Sequence, residues 1–180
     1  MTPPVATIAV PPASRIAALL PSADFFDAYA MPLAHGDARS AMAIYLDIVA
    51  VTPGWINFLM AARNRIVSLV GLKNVGHVGA VDPAKTAASY RPGDRVGIFS
   101  LRSVSDDEVI LGDADRHVDA QVSVRRIERD GRPAVALTTV VHIHNLLGRA
   151  YMAFVVPLHR RIVPAALARA WEAQRQAGTL

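Results

Sequence analysis

The sequence predicts an α+β fold in which a curved antiparallel sheet grips a long, proline-kinked C-terminal helix. Three observations lead there. Residues 96–144 hold four strand-like runs separated by turn signals, whereas the chain after Asn145 has a helical pattern. One turn, Asp130-Gly131, is the strongest short hairpin signal a sequence can carry. An antiparallel sheet with one apolar face must cover that face, and the final helix is the element long enough to do so.

The elements follow in order. Met1–Ala13 carries Pro3, Pro4, Pro11 and Pro12 and reads as a flexible tail, with one domain spanning 14–180. Ala23–Leu33 reads as the first strand, where Phe25, Asp27, Tyr29 and Met31 alternate with Phe26, Ala28 and Ala30. Two helices follow it. Asp37 is placed to cap a helix over Ala38–Val51, with Ala41, Ile44, Tyr45 and Ile48 inward. Thr52-Pro53 ends that helix and starts the next, whose apolar stripe is Trp55, Leu59, Ala62, Ile66 and Leu69, with Gly71 as its end. Lys73–Asp94 is irregular, with a short strand possible at Val75–Val81 and a type II turn at Arg91-Pro92-Gly93-Asp94.

Strands are then expected at Val96–Ser103, Glu108–Leu111, Arg116–Glu128 and Pro133–His144, with Gly112-Asp113-Ala114 as a turn. The last helix starts at an Asn145 cap and carries Tyr151, Phe154, Leu158, Ile162, Ala165 and Ala168 on its apolar face. Pro157 and Pro164 should kink or split it.

The two-residue turn fixes a register. Val118 faces Ile143, Ala120 faces Val141, Val122 faces Thr139 and Val124 faces Leu137, so one face is nearly all apolar. The other pairs His117 with His144 and Asp119 with His142. A slip of one residue would reverse both faces at once. The apolar face, with Val118, Val122, Val124 and Val141, should meet Tyr151, Phe154 and Leu158 of the helix across a cavity that Arg149 borders. These residues are the candidate lining of a ligand site.

His117, Asp119 and His144 are candidate catalytic residues, because a carboxylate can fix the tautomer of an imidazole that moves protons. His117, His142 and His144 are candidate metal ligands by residue type. A solvated outer sheet face accounts for all of them better, and no metal or other cofactor is expected. Ser14, Ser22 and Ser40 have no evident base. The sequence holds no Gly-x-Ser-x-Gly elbow, phosphate loop or dinucleotide-binding glycine pattern.

Composition narrows the classes. Of 180 residues, 52% are hydrophobic and only 19% charged, so the chain can bury a core. The absence of Cys removes disulfide and thiolate chemistry. No run approaches the roughly 18 apolar residues of a membrane span, and the expected location is cytoplasmic. The net charge of +4 is matched by the last helix alone, where Arg149, Arg160, Arg161, Arg169 and Arg175 face one Glu172. Few aromatics interleave with these arginines, so nucleic acid is not an expected partner. A basic helix could meet a membrane surface, but a solvated face explains it better.

Three stretches are similar to a known family. They are Asp24-Phe25-Phe26-Asp27-Ala28-Tyr29, Asp115-Arg116-His117-Val118-Asp119, and His144-Asn145 with Gly148-Arg149, Tyr151 and His159. Together they resemble the bacterial domain of unknown function 2867 from about Ala23 to Ala170. The resemblance implies kinship with helix-grip domains of the steroidogenic-acute-regulatory-like and polyketide-cyclase-like kind. It also implies a short-chain-dehydrogenase-like partner for some members. It marks His117, Asp119, His144, Asn145, Arg149 and His159 as matching positions and assigns no catalytic residue.

Three functions then compete: binding of an apolar small molecule or lipid between sheet and helix, a cyclase, dehydratase or hydrolase activity, and interaction through the basic helix. Whether the protein is an enzyme stays open, and so does homodimerisation through an edge strand or helix.

Overall fold

The structure is a computed structural model and describes residues 5–59, 81–82 and 84–178. Residues 73–80 and 83 of the irregular Lys73–Asp94 stretch, all but the last residue of the strand expected at Val75–Val81, and the second helix beyond residue 59 lie outside the described residues.

Seven antiparallel strands form one open, curved sheet. They are β1 (Ala6–Thr7), β2 (Phe25–Pro32), β3 (Arg95–Val96), β4 (Phe99–Val104), β5 (Glu108–Ala114), β6 (Val118–Arg129) and β7 (Arg132–Ile143). Their order across the sheet is β1-β2-β7-β6-β5-β4-β3. Among the described residues α-helix occurs at α1 (Ala41–Ala50), residues 54–59 (α2), and α3 (Leu146–Gln176).

The hairpin register stands as the sequence predicts. Val118 faces Ile143, Val122 faces Thr139, Val124 faces Leu137 and Asp119 faces His142. Asp130 and Gly131 both take positive φ, 53° and 70°, which is the backbone a two-residue hairpin turn demands. At Arg91–Asp94 the turn forms with Gly93 at φ 97° and the Asp94 N–H donating to the Arg91 carbonyl at 3.0 Å.

Several boundaries differ for local reasons. The strand expected over Val96–Ser103 is broken by Gly97, whose φ of 62° turns the chain and makes β3 and β4 a hairpin. Gly112-Asp113-Ala114 is strand, not turn. A Cβ at Gly112 would come within 3.1 Å of the Ala120 carbonyl, so this glycine serves a close approach between β5 and β6. The turn comes at Asp115, whose carboxylate accepts the His117 and Val118 N–H groups at 2.7 and 2.9 Å.

Ser40, not Asp37, caps α1 by accepting from the Ala43 N–H. Asp37 is held instead by the Arg39 guanidinium. In α2, Ile56 is buried and Trp55 is 46% exposed, the reverse of the expected stripe.

The main core lies on one sheet face. Met31, Leu101, Val109, Leu111, Val122, Val124 and Leu137 meet α1 through Ile44 and Ile48, and α3 through Leu167, Ala170 and Trp171. α3 therefore covers the predicted Val118/Val122/Val124 face. It runs as one helix through Pro157 and Pro164, with no split at either. Its buried residues are Gly148, Met152, Val163, Ala166, Leu167, Ala170, Trp171 and Gln174.

The opposite face is not simply wet. Ala6–Thr7, in the expected tail, pair with β2, and just beyond that tail a 3-10 helix, Arg15–Ser22, packs Ile16 against Ile110 and Val140. Ser14 and Arg15 anchor it to a fully buried carboxylate, Glu108.

Candidate functional site

The inward row of β2 is Phe25, Asp27, Tyr29 and Met31, a set of apolar and aromatic residues with one carboxylate among them. β2 pairs with β7 so that Asp27 lies opposite Thr139. From above, α3 brings His159 down onto the same spot. The His159 Nε2 lies 3.1 Å from Asp27 Oδ1, and the two side chains are 19% and 10% exposed. A carboxylate can only accept, so Nε2 carries the proton and donates, which leaves Nδ1 as the nitrogen free to accept from a ligand.

Aromatic contacts hold the pair. The Phe25 ring meets the His159 ring edge-on, with centroids 5.6 Å apart, and the Arg160 guanidinium sits 5.7 Å from the Phe25 centroid. Burial, and then the Asp27 carboxylate, by its charge and by accepting from the phenol, push Tyr29 above its ordinary value, so Tyr29 stays a neutral donor.

Two polar atoms here are buried without a protein partner: Asp27 Oδ2 and Thr139 Oγ1. Buried polar groups are almost always satisfied, so two such atoms on directly paired residues are a strong local anomaly. The arrangement can receive a hydrogen-bond donor at Asp27 and present an imidazole to it.

Residues 19–166 match the family described as a protein of unknown function, DUF2867. The chain belongs to this family. No curated protein matches it. Within this DUF2867 domain lie Asp27, Tyr29, Thr139 and His159, whereas Ser14, Arg15, Trp171 and Arg175 fall outside the matched residues.

The residues singled out from the sequence are not brought together in the DUF2867 structure as one reactive cluster. His117 is buried and both its nitrogens are used. Arg116 Nε donates to its Nε2 at 2.7 Å, which forces the proton onto Nδ1, and Nδ1 meets Asn145 Oδ1 at 3.0 Å. Asn145 also accepts from the Gly148 N–H and donates to the Arg116 carbonyl. His117 and Asn145 thus lock the start of α3 onto β6. Asp119 reaches only Gln121, at 3.5 Å, and its Oδ1 is buried without a partner. His144 is exposed.

His142 does lie near a serine, Ser22, at 3.1 Å, so Ser22 has a base beside it that the sequence did not reveal. The same Nε2 is 3.2 Å from the Leu19 carbonyl. A carbonyl only accepts, so this nitrogen holds its proton and cannot take one from Ser22. Among the described residues no group of three or more His, Asp or Glu is arranged to hold a metal.

The candidate lining is divided. Val122 and Val124 are in the main core, and Val118 and Val141 pack against Met152. Tyr151 and Leu158 are half-buried, Arg149 is exposed, and Phe154 is 65% exposed and faces away from the sheet.

The polar face of β6 and β7 carries the denser cluster of titratable residues in the sequence and overshadows Asp27. The signal was present all the same: one carboxylate in an otherwise apolar and aromatic inward row. Among the described residues no helix is long and apolar enough to cross a membrane.

Proposed function

We propose that this protein binds a small molecule between the sheet and α3, with the polar end of the ligand held at Asp27 and Thr139. The observation that carries this reading is the pair of buried, unpartnered atoms, Asp27 Oδ2 and Thr139 Oγ1. A buried group left unsatisfied costs about 1–3 kcal/mol, and a ligand hydroxyl or amine would recover that. The chemistry selects a donor: an anionic head would face the Asp27 carboxylate. Phe25, Tyr29 and the valines of β6 and β7 suit an apolar body.

Native mass spectrometry on gently purified protein tests it. A retained small molecule is expected in the wild type and lost in Asp27→Ala and Thr139→Val. Identical retention in both variants would remove the site from the argument, and an empty wild type would remove the ligand.

A second reading rests on His159. Its Nε2 is fixed on Asp27, the arrangement by which a carboxylate orients an imidazole for proton transfer. If the bound molecule is a substrate, His159→Gln should abolish its conversion while leaving it bound.

A further inference from the structure

We propose a second binding site, for a small organic anion with an aromatic or acyl body, in the groove between the β6–β7 hairpin tip and the end of α3. The groove has a volume of about 730 Å³. That lies within the usual range of ligand sites and is far more than a bare phosphate fills. Three guanidinium groups line it, from Arg129, Arg132 and Arg175, against one carboxylate, Asp130.

The fold does not call for this charge. Arg129 and Arg132 are directly opposed across the hairpin, where like charges oppose strand pairing. Arg129 reaches Asp130 only at 3.7 Å, and that carboxylate is 89% exposed, so it neutralises little. The Arg132 guanidinium meets no carboxylate among the described residues. Arg175 lies over the Trp171 ring, 4.9 Å from its centroid, which keeps its charge at the groove wall instead of pairing it.

The wall between these cations is apolar, with Val5, Ala30, Pro32 and Trp171. Positive groups at the mouth and an apolar wall fit an anionic head, a carboxylate or phosphate monoester, that carries a hydrocarbon body. Guanidinium forks recognise both heads in the same bidentate way. The site is distinct from Asp27, whose carboxylate selects donors.

Calorimetric titration with phenyl phosphate in low salt tests the proposal, with inorganic phosphate as the second probe. Phenyl phosphate is expected to bind, and inorganic phosphate to bind about tenfold more weakly because it gains nothing from the apolar wall. Arg132→Gln should weaken phenyl phosphate about tenfold, and Arg129→Gln/Arg132→Gln further. Arg169→Gln makes the same change in net charge on α3 away from the groove and should leave the affinity unchanged. Equal losses in Arg169→Gln and Arg132→Gln would mean diffuse attraction and overturn the site. Absence of binding would overturn it too, and equal affinity for the two probes would overturn the organic class of ligand.

Discussion

At the scale of single residues, two buried carboxylates behave in opposite ways. Asp27 keeps an oxygen with no protein partner, whereas Glu108 is saturated. Glu108 accepts from the hydroxyls of Ser14 and Ser123, from the Arg15 amide at 3.0 Å and from the Arg125 guanidinium at 3.0 Å. Burial raises its pKa, but these four donors outweigh burial and hold the carboxyl below the ordinary value of 4.5. A lowered folded-state pKa means that stability is present above 4.5 and is lost as pH falls through the lower folded value. Glu108→Ala should therefore cost about 3 kcal/mol at neutral pH, since it strands several buried donors. In urea melts followed by circular dichroism, the gap between wild type and Glu108→Gln should narrow once the pH drops below 4.5. A gap that stays constant into strong acid would show that the charge contributes nothing. Glu108 was not legible in the sequence. A Glu at the start of a strand, after Ser105-Asp106-Asp107, looks solvated, and only the arrival of Ser14 from a distant segment buries it. Asp27 was legible in principle, because the alternation of β2 put it on the inward row.

At the scale of elements, the register of the β6–β7 hairpin matches the sequence expectation at every pair, whereas the strand ends differ by one or two residues and the inward face of α3 is rotated from the expected one. The difference is physical. A hairpin register is set by a two-residue turn and checked by two independent faces, so the sequence overdetermines it. A long helix rich in Ala, Val and Leu offers adjacent apolar stripes. Hydropathy favoured the one with Phe154, but the sheet accepted the one with Gly148, Met152, Val163, Ala166 and Ala170. Gly148 and Ala170 let the helix axis approach the sheet, while Met152, Leu167 and Trp171 fill the space beside them. Gly148 shows this most directly. A Cβ there would collide with the His117 carbonyl and lie 2.9 Å from Ile143 Cγ2. Helix propensity alone predicts that Gly148→Ala stabilises α3 by about 1 kcal/mol. The packing predicts the reverse sign, a loss of about 2 kcal/mol, since backbone must shift to admit the methyl. A thermal melt separates the two: a raised midpoint in Gly148→Ala would mean that α3 does not sit this close to β6.

At the scale of the whole molecule, the sequence suggested a sheet with one covered face and a loose proline-rich tail, and the structure shows a sheet clasped on both faces. The second cover is short and prolines interrupt it, so local propensity gives it little signature, although the eight-residue 3-10 helix does carry an apolar side. Its burial is nevertheless complete at Ile16, which is 0% exposed against Ile110 and Val140. The Glu108 network lies at the same junction, so apolar contact and charge-assisted hydrogen bonds act together there. If Arg15–Ser22 lay loosely on the surface, Ile16→Ala would change stability by less than about 0.5 kcal/mol, as surface substitutions do. As a packed cover it should cost about 3 kcal/mol, the usual penalty for truncating a buried Ile. Deleting residues 1–22 should cost more than either Ile16→Ala or Glu108→Ala, because it removes both sets of contacts and the β1 edge together. Denaturant unfolding of the three proteins beside the wild type checks the order. A full-length midpoint in the 1–22 deletion would show that the sheet stands with one face open.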